Sequence, residues 1–135
     1  MSHNDSVIEA TFEFGNIQII GNLVIAVMNE GILFDTSYNT QFLSFCKKKL
    51  GNKPFGYISF RKNSYSIDPT VYLQTAQNIN LRAIAIVIEK DIHKYNITVE
   101  KQFFNHPFEV FESLAQATNW IHNVLPSETT HQHRS

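Results

Sequence analysis

Cysteine occurs once in the 135 residues, at Cys46. No disulfide can close within the chain, and no zinc site can rest on several thiolates. Glycine is almost as sparse: Gly15, Gly21, Gly31, Gly51 and Gly56. None falls in a Gly-x-Gly-x-x-Gly or Walker pattern, and there is no Gly-x-Ser-x-Gly elbow. Nucleotide-binding folds of those kinds are excluded. Charge is low as well, at 17% of residues with a formal net charge of −1. A chain without a basic field has no sequence-independent grip on nucleic acid. Long apolar runs are also missing. The longest candidate, Ile17 to Met28, is interrupted by Gln18, Gly21 and Asn22, well short of the roughly 20 residues of a membrane helix. Met1 to Ser6 is polar with no signal-peptide core behind it, so the expected location is the cytoplasm.

What is present is apolar. Hydrophobic residues make up 43% of the chain, including 11 Phe and 5 Tyr. A chain of this size buries a real core without staples. Residues 1–125 are read as one domain, and 126–135 as a polar, disordered tail.

Apolar and polar residues largely alternate from Val7 to Phe14, the period of a half-buried strand. Gly15-Asn16 and Gly21-Asn22 are turn or bulge signals. Val7 to Met28 therefore reads as an antiparallel hairpin or three-strand meander. A helix should start at Asp35 or Thr36, either of which can cap it. Its apolar stripe is Tyr38, Phe42, Phe45, Cys46 and Leu50, its stop Gly51 and Pro54. Lys47, Lys48 and Lys49 fall in its last turn, where cations suit the helix dipole.

Phe55 to Phe60 reads as a strand, and Arg61 to Asp68 as a polar loop. Asp68-Pro69 should open a second helix, with Asp68 as cap and Pro69 in first position. Its stripe is Val71, Tyr72, Thr75, Ala76 and Ile79. Ala83 to Ile88 is uninterrupted, short and rich in β-branched residues, as in a strand covered on both faces. Asp91 should cap a third helix reaching Phe103, with Ile92, Tyr95, Val99 and Phe103 inward. Phe108 to Phe111 is a last short strand. Ser113 and Gln116 have capping-box spacing ahead of a final helix through Leu125. Strand and helix alternate after the meander, which implies parallel pairing. The expected fold is α/β, a mixed sheet with antiparallel N-terminal strands, then strand–helix units, with about four helices.

Residues that carry chemistry are scattered. The six histidines, His3, His93, His106, His122, His131 and His133, show no metal-ligand spacing, so no metal site and no cofactor are expected. Cys46 shares an apolar face with Phe42 and reads as a buried, inert thiol. The aromatic stretch Phe103 to Phe108, with Tyr95 and Trp120, reads as core. The segment Arg61 to Asp68 differs, because it joins the C-terminal end of a strand to a helix N-terminus. Open α/β sheets place ligands outside such strand ends. Arg61, Ser64, Tyr65, Ser66 and Asp68 are the ligand or partner candidates; no residue is assigned a catalytic role.

The layout from Phe12 to Leu125 resembles the STAS-like (SpoIIAA-like) family. The likeness rests on three segments in order. Gly51-Asn52-Lys53-Pro54-Phe55 is similar to the family's link from first helix to third strand. Asn80 to Val87 is similar to its central strand. Phe108 to Ile121 is similar to its closing strand, acidic turn and Ala/Trp-bearing helix. In anti-sigma-factor antagonists of this fold a phosphorylated serine opens the second helix in an Asp-Ser-[Ser/Thr]-Gly context. Here the corresponding place is Ser64 to Asp68 and that motif is absent, so the switch does not carry over; Ser64 and Ser66 are candidates by position only.

The resemblance implies a bacterial, non-catalytic regulatory module that binds a protein partner or a second copy of itself. A homodimer is one such assembly. A small-molecule or lipid carrier is the alternative, since lipid-binding domains of comparable architecture exist. An enzyme using His106, Tyr65 or Asp68 is the third reading and the least supported. No nucleic-acid partner and no membrane span are expected.

Overall fold

A computed structural model describes residues 6–78, 80–90 and 95–125. The N-terminal apolar segment forms three strands, β1 (Val7–Phe12), β2 (Gly15–Ile20) and β3 (Leu23–Met28). They pair antiparallel through two-residue turns, with Phe12 opposite Gly15 and Ile20 opposite Leu23. The meander is thus the form adopted. After it come β4 (Leu33–Phe34), α1 (Thr36–Leu50), β5 (Phe55–Phe60), β6 (Ser66–Ile67), α2 (Val71–Thr75), β7 (Leu81–Val87), α3 (Ile97–Gln102), β8 (Phe108–Phe111) and α4 (Leu114–Val124).

The main sheet has the order β1-β2-β3-β5-β7-β8, and pairings from β3 onward are parallel. Strands that follow each other across a sheet in one direction, with crossovers of one hand, put every crossover helix on one face. The core bears this out. Phe42, Cys46 and Leu50 of α1, Val71 and Tyr72 of α2, and Phe104 after α3 pack with Val24, Met28, Tyr57, Ile84 and Phe108 on one side. Among the described helices only α4 lies on the other, where Ala117, Ile121 and Leu125 meet Leu23, Ile25, Ile58, Ala85 and Val87. β7 is covered on both faces, with Ala83 to Val87 fully buried. That double covering is why its sequence lacks alternation.

Local signals explain the helix ends. The Asp35 side chain accepts from the Tyr38 N–H at 3.1 Å and caps α1. Gly51 closes it at φ 62°, a conformation only glycine adopts freely. Ser113 caps α4 by accepting from the Gln116 N–H. α4 can lie close because Gly56 of β5 sits under Ile121, where any Cβ would collide with its branched side chain.

Two helices differ from the sequence reading. α2 begins at Val71 and has only five residues. Asp68 is not its cap: its carboxylate accepts from the N–H and hydroxyl of Thr70 and shapes the turn before the helix. Pro69 lies outside the helix, Ala76 is its C-cap residue, and Ile79 is outside the described residues. α3 likewise starts at Ile97, capped by Asn96, whose side chain accepts from Val99 N–H. Asp91 and Ile92 are outside the described residues. The β-branched Ile97-Thr98-Val99 run costs helix propensity, consistent with a helix shorter than expected. The loop Arg61 to Asp68 also holds a strand the sequence did not announce: β6 pairs parallel with β4.

Candidate functional site

Arg61 follows β5 directly. It continues the row Phe55, Tyr57 and Ser59, which faces α1, α2 and α3, so its side chain is directed inward rather than to solvent. It is 5% exposed. Its guanidinium grips the Glu100 carboxylate with both terminal nitrogens, at 2.9 and 2.6 Å. Its Nε donates to Ser59 Oγ at 3.1 Å. The Tyr72 hydroxyl donates to the same Glu100 carboxylate at 2.7 Å. Ser59 Oγ lies 3.3 Å from the Tyr65 hydroxyl. The Tyr95 ring covers the guanidinium at 4.6 Å, a cation–π contact.

These groups join five parts of the chain: β5, the Arg61–Asp68 loop, α2, the segment at Tyr95 and α3. Among the described residues no buried side-chain nitrogen or oxygen lacks a partner. A buried ion pair survives only when its hydrogen bonds are this complete. Burial opposes the Arg61 charge, but Tyr65 and the hydrogen-bonded Glu100 outweigh it, and the guanidinium titrates well above its ordinary range. Burial also raises the phenols of Tyr72 and Tyr57.

The rest of the loop is pinned from outside. The Ser64 N–H donates to the Glu30 carboxylate at 2.9 Å, and the Gly31 N–H donates to the Ser64 carbonyl at 2.8 Å. The Asn63 amide donates to the Met28 carbonyl, and the Tyr95 hydroxyl donates to the Asn63 carbonyl. Glu30, Asn63, Ser64 and Tyr95, with Lys62, Glu89 and Lys90, border a polar cleft of about 220 Å³ at the C-terminal ends of β5 and β7. A second recess of about 250 Å³ lies beside it, bordered by Tyr65, Ser66, Pro69, Tyr95, Asn96 and Glu100.

The five sequence candidates therefore separate. Ser64 borders the first cleft, Ser66 borders the second and is exposed, and Tyr65 is buried between loop and core. Arg61 borders the first cleft but has its charge engaged by Glu100, and Asp68 is spent on Thr70. Lys62 and Lys90 are the solvent-exposed cations bordering the first cleft. Sequence reading missed Glu100 and Tyr72. The alternation Phe55, Tyr57, Ser59, Arg61 was the available signal for a buried Arg61 and a buried counter-charge, but Arg61 was read as the start of a polar loop. Nothing in the sequence singled out Glu100 as that group.

The other candidates resolve simply. Cys46 is fully buried and burial pushes its thiol up to about 12. His106 packs edge-on against Phe104, and His122 lies exposed in the last turn of α4. His3, His93, His131 and His133 are outside the described residues. Among the described residues no group of three His, Cys, Asp or Glu side chains is placed to hold a metal ion. The interior space beneath α1 and α2, bordered by Phe42, Tyr57, Tyr65 and Tyr72, is about 20 Å³. That is room for about one water. No described helix is long and apolar enough to cross a membrane.

The chain matches no family model and no curated protein. A solved structure of an uncharacterized protein from the DUF3478 family of Shewanella loihica, described as having a SpoIIAA-like fold, is similar to it. The two share 12% identity with a TM-score of 0.49, over 86% of this chain and 92% of the other.

Proposed function

We propose that the chain is a regulatory module that binds a protein partner through the loop Lys62 to Ser66 and its surroundings. The observation that supports this most is the pinned loop. Its backbone is held by Glu30, Gly31 and Tyr95, and its Asn63 side chain by the Met28 carbonyl, before any partner arrives. A surface ordered in advance loses little entropy on binding. It offers charges of both signs, Glu30 and Glu89 beside Lys62 and Lys90, a pattern that selects a partner by complementarity. Its cleft of about 220 Å³ is below the usual span of drug-sized ligand sites, roughly 300–1,000 Å³.

The carrier alternative is less favoured. An apolar cargo would have to enter between the helices and the sheet, where the space is about 20 Å³. Site-specific photo-crosslinking in cells tests the proposal. A photoreactive residue in place of Ser64 is expected to capture a discrete protein adduct that the same residue in place of Lys48, at the far end of α1, does not. Identical adducts from both positions, or none from Ser64, would contradict it.

A further inference from the structure

Strand β1 is one edge of the main sheet. Natural edge strands are usually shielded by lysine, proline, a bulge or a covering loop. β1 has neither residue and carries one charge, Glu9; it pairs with β2 in unbroken register from Val7 to Phe12, and among the described residues no strand pairs with its outer side. Val7 is 51% exposed and Ile8 37%, on opposite faces of the same strand.

The turns fix which backbone groups of β1 point outward. Phe12 and Gly15 close a two-residue turn, so they are a hydrogen-bonded pair, and Ala10–Ile17 and Ile8–Ile19 follow by alternation. The second turn, closed by Ile20 and Leu23, commits the intervening residues of β2 to β3, in agreement. The backbone groups of Val7, Glu9 and Thr11 therefore face away from the sheet.

We infer that a second copy of the chain pairs with this edge, antiparallel, about a two-fold axis through Ala10, joining two six-stranded sheets into one. The charges choose the axis. An axis through Glu9 sets the two Glu9 carboxylates opposite each other, and one through Thr11 sets Glu9 against Glu13. An axis through Ile8 sets Glu9 beside Val7. Only an axis through Ala10 gives Glu9 an uncharged polar neighbour in the second copy, Thr11, in addition to the Asn16 amide from which Glu9 already accepts at 3.1 Å. Thr11 Oγ1 accepts from the Asn16 amide at 3.3 Å, which leaves its own proton free to donate to that carboxylate. Both Glu9–Thr11 contacts form at once, as an isologous interface requires.

On the other face Ile8 meets Phe12 of the second copy, and Ala10 meets Ala10. Phe12 is already anchored, stacked on Phe14 at 5.0 Å and edge-on to Phe45 at 5.3 Å. The interface thus extends an existing aromatic cluster. It lies away from the Lys62–Ser66 loop and does not depend on that reading.

Sedimentation velocity at tens of micromolar, with a cysteine variant, tests it. Ala10 of each copy would form a non-hydrogen-bonded pair with Cα atoms about 4.5 Å apart, within disulfide reach. The wild type is expected to sediment as a dimer and Ala10→Cys to become a covalent dimer on mild oxidation. Glu9→Cys, treated identically, should give little. Thr11→Glu should shift the protein to monomer, and Glu9→Lys with Thr11→Glu should restore the dimer, each with an unchanged circular dichroism spectrum. A monomeric wild type, or a dimer in which Ala10→Cys fails to cross-link, would overturn the inference.

Discussion

Replacing Arg61 with leucine strands the Glu100 carboxylate in the core, with only the Tyr72 hydroxyl to stabilise it. Breaking a buried pair in this way costs about 3–5 kcal/mol, which urea unfolding of Arg61→Leu should register as a lowered midpoint. Arg61→Lys should recover little, because a lysine cannot make the paired contact. The buried thiol and phenols set the alkaline limit of stability. Above the ordinary Cys46 value of 9.0 the unfolded chain loses the thiol proton, while the folded chain holds it up to about 12. The unfolded state then binds fewer protons, so stability falls as pH rises. Tyr57 and Tyr72, raised by burial, act in the same direction from about pH 10. Urea midpoints should be level between pH 7 and 8 and lower at pH 10.5; equal midpoints would contradict this. Cys46 was legible as an inert core residue because a thiol on an aromatic helix face has no charge to sustain a thiolate. The Arg61–Glu100 pair was not, because its two members are far apart in sequence and meet only when α3 docks.

Capping and close approach govern the elements. Ser113→Ala removes the acceptor for the Gln116 N–H and should lower stability by about 1 kcal/mol. Gly56→Ala puts a methyl group into Ile121 and lifts α4 from β5. A loss of about 1–3 kcal/mol relative to the wild type is expected, as for other overpacked cores. Thermal melts of the three proteins check both claims. α1, α4, β5 and β8 were legible to within a residue or so because caps, stops and apolar period agree. α2 was misjudged at its start because a proline and an acidic residue can open a helix or merely shape a turn. Asp68 does the latter. The β4–β6 pair left no mark in the sequence, since two-residue strands have no period to read. α2 owes its place to Asn39, whose amide reaches Val71, Gln74 and Thr75 from α1.

At the scale of the whole molecule, strand order and helix placement decide what is accessible. The mixed sheet was legible because turn signals close the N-terminal meander, while strand and helix alternate after it and imply parallel pairing. What the sequence could not convey is how full the interior is. Eleven Phe and five Tyr suit a lipid pocket and a packed core equally. In the folded chain they leave about 20 Å³ beneath α1 and α2, and the cleft at the strand ends is polar and only about 220 Å³. The chain is accordingly expected to act through its surface. Native mass spectrometry of the purified protein at low micromolar concentration tests this most directly. The account predicts masses that are whole multiples of the bare polypeptide, with nothing retained. A reproducible added mass of lipid or metabolite size would contradict it, and would make the chain a carrier.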